Sequence, residues 1–134
     1  MSDQIEQFAW AVKTGDLKNV KDAIEKQGLS ANYVEATVNK RTPLHWAADY
    51  GQVEVIEYLL SKGANIEAKD NFGITPLLAA VYEGHANAVK VLLQRGARRD
   101  VKGPDGMTPL EAAEKAEIKA LLRMFTSWFY SFRA

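Results

Sequence analysis

Only two side chains in this 134-residue chain titrate near neutrality, His45 and His85, so any general-base chemistry at physiological pH would have to run through them. Paired carboxylates are the next candidates for acid–base work, and Glu54 with Glu57 and Glu114 with Glu117 have the helical i,i+3 spacing that puts both groups of a pair together. The surrounding pattern turns those faces outward, where solvated charge is the default. Residues 102–106, KGPDG, could suggest a phosphate loop. They lack the spaced glycines and terminal Lys-Ser/Thr of one, and Pro-Asp-Gly is an ordinary turn sequence. The chain has no cysteine, which rules out disulfides and thiolate metal sites. Nothing brings an acid, a base and a pocket together, so no catalytic residue, cofactor or metal ligand is assigned and the reading is non-enzymatic.

The elements that carry these residues repeat. Residues 42–74 and 75–107 form two adjoining 33-residue blocks identical at 11 positions, and a third copy opens at Thr108 with TPLEAA. The segment 8–28 has the same layout without its opening Thr-Pro-Leu. A period of 33 marks a solenoid, in which each unit buries its apolar face against its neighbours. Thr42, Thr75 and Thr108 are suited to cap helices, each followed by a proline at the first helical position, where its missing N–H costs nothing. Leu44, Ala47 and Ala48, and then Leu77, Ala80 and Val81, recur at i, i+3 and i+4, giving short helices with a narrow face of small side chains. Gly51 and Gly84 end the first helix of a unit, and Gly63 and Gly96 the second. A polar finger closing on a glycine turn completes each period.

This helix–turn–helix–finger unit, with its TPLHWAA and LLSKGAN strings, resembles the ankyrin repeat. The fold class is therefore all-α: an ankyrin solenoid of about four units with β-turn fingers and a C-terminal helical extension. Residues 1–123 are expected to form the repeat domain, with units at about 6–41, 42–74, 75–107 and 108–123, and residues 124–134 an aromatic extension. The resemblance also bears on the histidines, because ankyrin units commonly carry histidine at these positions for hydrogen bonds between adjacent loops. In such a stack the fingers and the ends of the first helices form a concave wall free of core duties. Residues projected there include Arg41, Asp49, Tyr50, Phe72, Tyr82, Glu83, Asp105 and Met107. Large apolar groups with a charged rim are what interface hot spots are made of. Trp46 reads as core. Trp10 is open to two readings, sealing the flank of the first unit or anchoring a partner.

The strings FAWAVKTGDL, PLHWAADYGQ, ITPLLAAVYEGH, VKGPDG and IKALLR, in that order, resemble the myotrophin family of small all-ankyrin proteins. That resemblance implies a partner, the heterodimeric actin capping protein, which such proteins keep from filament barbed ends by covering its basic filament-binding surface. Asp49, Glu83 and Asp105 would then face basic groups while Tyr50 and Tyr82 supply contact area. The alternative is a general ankyrin adaptor for another protein. Two departures stand out: the chain is formally neutral, and its first finger, residues 29–41, is two residues longer than the others.

Composition sets the remaining bounds. With 47% apolar residues and this length, one domain is expected. Seventeen basic and seventeen acidic residues cancel, which argues against nucleic acid or anionic membrane as the main partner. The start, MSDQIEQFAWAV, does not read as a signal peptide, so a cytoplasmic and also nuclear monomer is expected. The chain ends MFTSWFYSFRA, and Ile118, Leu121, Leu122, Phe125, Trp128, Phe129 and Phe132 keep helical spacing, so one apolar stripe runs from the last unit into the extension. Its expected role is to fold against the final unit.

Overall fold

The computed structural model describes the backbone of residues 2–133 and the side chains of residues 3–125. The expected packing of Trp128, Phe129 and Phe132 lies outside the described residues. Among the described residues there are eight helices and no strand: α1 (Ser2–Thr14), α2 (Leu17–Glu25), α3 (Pro43–Asp49), α4 (Val53–Ser61), α5 (Pro76–Glu83), α6 (Ala86–Gln94), α7 (Pro109–Ala112) and α8 (Ala116–Arg133). They fall into four contacting pairs, α1 with α2, α3 with α4, α5 with α6 and α7 with α8. First helices stack on first helices, α1 on α3 on α5 on α7, and second helices stack likewise from α2 to α8.

Local chemistry sets the helix starts. The hydroxyl oxygens of Thr42, Thr75 and Thr108 accept from the backbone N–H groups of His45, Leu78 and Glu111, with proline next in line each time. In the second unit the box is closed by a histidine, since Thr42 N–H donates to His45 Nδ1 at 3.1 Å; in the fourth it is closed by Glu111 Oε1 at 2.9 Å. The third unit carries Leu78 at this position and has only the threonine half. Gly51 ends the first helix of the second unit at φ 68, and a Cβ there would lie 2.8 Å from the His85 ring. Both the left-handed backbone and the close approach require glycine.

The core runs the length of the stack, from Phe8, Val12 and Val20 through Leu44, Ile56 and Leu59 to Leu77, Leu92, Ile118 and Leu122. Ala47, Ala48 and Ala80 are fully buried between neighbouring first helices, so their small size is what lets the units close up. Helix α8 passes Arg123 without a break, and Leu121 and Phe125 pack against the core beside Ile118 and Leu122. The stripe read in the sequence is thus seated as far as Phe125.

Polar groups tie one unit to the next. Asn32 donates to the Gly63 carbonyl at 2.9 Å and accepts from Asn65 N–H at 2.8 Å, and Glu67 accepts from Arg98 N–H at 2.8 Å. The longer first finger is anchored by its tip, where Asn39 C=O accepts from Asn71 N–H of the second finger at 2.8 Å. That finger also places Lys40 at φ 56, in register with Gly73 and Gly106, which adopt φ 81 and φ 82 in the fingers that follow. A non-glycine residue in this conformation costs roughly 1 kcal/mol. Lys40→Gly should therefore raise the free energy of unfolding by about 0.5–1 kcal/mol, read from urea titration. A destabilised variant would show that the lysine side chain holds the finger.

Candidate protein-binding wall

Arg41 ends the first finger and ties the first unit to both the first helix and the finger of the second. Its Nη1 lies 3.3 Å from Asp49 Oδ2 at the end of α3, and its Nε lies 3.4 Å from Asp70 Oδ2 in the second finger. The Asp70 side chain is almost fully buried, and its other oxygen accepts from Phe72 N–H at 2.8 Å and Ile74 N–H at 3.0 Å. Asp70 therefore shapes the turn that projects Phe72 while fixing Arg41. Arg41 and Asp49, projected from the sequence as contact residues, are partly enclosed and bonded to each other, so Asp49 does not present a free carboxylate.

His45 lies directly behind this ion pair and is fully buried. Its Nε2 reaches the Ile74 carbonyl at 2.7 Å, which makes Nε2 the donor, and its Nδ1 accepts from Thr42 N–H. Both ring nitrogens are committed, so the imidazole serves as a strut between α3 and the end of the second finger. His85 is the strut between the second and third units, its Nε2 lying 3.0 Å from the Asp49 carbonyl. Burial pushes the His45 pKa down, and the neighbouring Arg41 charge adds to that, while the Ile74 carbonyl opposes it. The unfolded chain therefore binds a proton at His45 more readily than the folded one. Stability from this group is complete above its ordinary pKa of 6.5 and is lost as pH falls through that value toward the lowered folded one. Urea unfolding at pH 7.0 and about 5.5 should show a less stable protein at the lower pH. His45→Leu, the residue found at the matching position of the next unit, should flatten that difference; an equal drop in the variant would assign it elsewhere.

The outward members of the wall sit on this frame. Tyr50, at the end of α3, is 52% exposed, and Phe72, Glu83 and Asp105 are also exposed. Tyr82 and Met107 are each 38% exposed. Tyr82 leans across to the third finger, and a Cβ at Gly103 would lie only 2.1 Å from its hydroxyl. Burial raises the Tyr82 phenol pKa, and the carboxylates of Asp105 and Asp70 push it further the same way. Asp105 Oδ1 accepts from Met107 N–H at 3.0 Å, which holds the fingertip turn. The wall is continuous: finger to finger through Asn71 and Asn39, finger to helix through Arg41, and helix to finger through Tyr82.

A profile described as ankyrin repeats in many copies matches residues 8–60 and 44–93, more than half of the chain. The chain belongs to the ankyrin-repeat family. Among similar proteins, myotrophin of Xenopus tropicalis is 52% identical over 60 residues, 44% of this chain and 48% of myotrophin. The 26S proteasome non-ATPase regulatory subunit 10 of Dictyostelium discoideum is 45% identical over 67 residues, 49% of this chain and 28% of that protein. Serine/threonine-protein kinase 12 of Arabidopsis thaliana is 40% identical over 62 residues, which cover 46% of this chain and 13% of the kinase. The chain thus spans about half the length of myotrophin and less than a third of the other two.

Three parts of this ankyrin wall were not singled out in the sequence. Asp70 looked like an ordinary finger residue; its burial comes from Arg41, which is far away along the chain. Glu35 takes the Trp46 indole N–H at 3.1 Å and the Thr37 hydroxyl. Burial alone would raise the Glu35 carboxyl pKa, but those hydrogen bonds outweigh it and leave it below the ordinary value. Gly103, third, makes room for Tyr82. Gly103→Ala should displace the Tyr82 ring, a flexible end that can move at little cost in stability. The expected result is an unchanged melting temperature with partner binding weakened by about 1 kcal/mol, measured calorimetrically. Trp10 stands apart from the wall, 70% exposed on α1, and does not seal the flank.

Proposed function

We propose that this ankyrin chain is a monomeric, non-catalytic binding module whose finger wall covers a basic surface of the heterodimeric actin capping protein and so keeps it from filament barbed ends. The observation that carries the binding role is the row of exposed Tyr50, Phe72, Tyr82 and Met107 on a frame held rigid by Arg41, Asp49, Asp70 and His45. Large apolar groups on a pre-organised surface lose little entropy on association, which is where interface energy concentrates. Glu83 and Asp105 supply the acidic rim for a basic partner. Capping protein as the partner rests on the likeness to myotrophin and on the ordered strings from Phe8 to Arg123.

In this reading residues 1–123 do the binding and residues 124–134 extend the last helix. The site of action is the cytoplasm, and the nucleus as well. No described helix is long and apolar enough to cross a membrane. The competing reading, an adaptor for a different protein, draws on the same wall and on the likeness to the proteasome subunit. Calorimetry with purified capping protein separates the two. Stoichiometric binding at micromolar affinity or tighter supports the first, and no heat of binding at tens of micromolar leaves only the adaptor.

A further inference from the structure

Trp10 and Trp46 occupy the same position in successive units, each five residues before the glycine that ends its helix region, Gly15 and Gly51. Their surroundings differ sharply. Trp46 is 3% exposed and packs on the unit before it. Phe8 meets its ring edge-on at 6.0 Å and 76°, Lys13 Nζ lies 5.8 Å from the ring centroid, and Glu35 takes the indole N–H. Trp10, at 70% exposure, has no such cover, and its indole N–H makes no hydrogen bond among the described residues. A tryptophan side chain left this open forgoes most of the stabilisation that burial would give it.

Around Trp10, α1 and the start of α2 form a notch of about 380 Å³, lined by Asp3, Glu6, Gln7, Asp16 and Asn19 with the indole. Its charged members are all acidic. Asp3, Glu6 and Asp16 enter no ion pair among the described residues. Asp16 is held in place by capping α2, through Asn19 N–H at 3.2 Å and Asn19 Nδ2 at 2.7 Å. One unit further on, the matching indole takes a lysine ammonium over its face. A group that reproduces this contact at Trp10 is a cation, and three carboxylates stand ready to draw it in. The same carboxylates disfavour a second copy presenting its own notch, and they repel nucleic acid.

We propose that the Trp10 notch is a second docking site, separate from the finger wall, that takes a lysine- or arginine-bearing segment of a protein partner, with the cation stacked on the indole. It is tested with the full chain carrying ¹⁵N at its tryptophan indoles. The probe is a short peptide alternating lysine or arginine with alanine, and the control is its glutamate counterpart. The basic peptide should shift the Trp10 indole resonance saturably while leaving that of Trp46 in place, and the acidic peptide should shift neither. Glu6→Lys, on an exposed position, should weaken binding about fivefold or more, as should raising salt from roughly 50 to roughly 300 mM. Tyr50→Ala with Tyr82→Ala should leave it unchanged, which keeps this site distinguishable from the wall. An unsaturable Trp10 shift, indifference to Glu6→Lys, or loss in the tyrosine variant overturns the proposal. So does a dimer seen in sedimentation that Trp10→Ala dissolves, since the notch would then belong to a second copy.

Discussion

Arg41→Ala should lower the free energy of unfolding by about 3 kcal/mol and the melting temperature by on the order of 10 °C. The effect comes from what is left behind. Without the guanidinium, Asp70 keeps a buried charge supported only by the backbone N–H groups of Phe72 and Ile74, and Asp49 loses its partner. Removing one member of a buried pair costs roughly 3–5 kcal/mol, and the two backbone donors that remain put this case at the low end. The cause can be isolated. Arg41→Met combined with Asp70→Asn removes the buried unpaired charge, leaving only the partly exposed Asp49 without its partner, and should recover part of the loss, whereas Arg41→Met alone should not. A loss under about 1 kcal/mol for Arg41→Ala would reduce the ion pairs to solvated surface contacts.

Tyr50→Ala with Tyr82→Ala should weaken partner binding by on the order of 2 kcal/mol or more, roughly thirtyfold, while the fold survives. Tyr50 follows α3 and projects from its C-terminal end, and Tyr82 lies on α5 with its hydroxyl over the third finger, so both are peripheral to the core. Truncating them removes contact area from adjacent units of one wall without opening a cavity inside. Normal binding by the double variant would move the interface elsewhere, and unfolding would show that the rings hold the fingers together.

The fold was legible because its signals are local and repeated. Thr42, Thr75 and Thr108 each cap the helix that starts beside them, and Gly51 and Gly84 stop helices where they stand, so spacing alone located the units. The wall was legible as a set of positions, but its electrostatics were not. Arg41 reads as a contact residue until Asp70 is seen to enclose it, and Asp70 reads as solvated until the second finger folds back on the first. Trp10 and Trp46 show the same limit in the other direction. Identical residues at identical positions end up exposed and buried because burial depends on the neighbouring unit, which no single unit's sequence contains. Lys40 is legible only afterwards, when its left-handed backbone aligns it with the glycines of the later fingers.

Barbed-end elongation of actin filaments in the presence of capping protein tests the central claim most directly. With capping protein set to stop growth, adding this chain should restore elongation in proportion to its concentration, and the Tyr50→Ala, Tyr82→Ala variant should need roughly thirtyfold more for the same recovery. Growth that stays blocked at tens of micromolar of the unmodified chain, or that both proteins restore equally, would contradict the account.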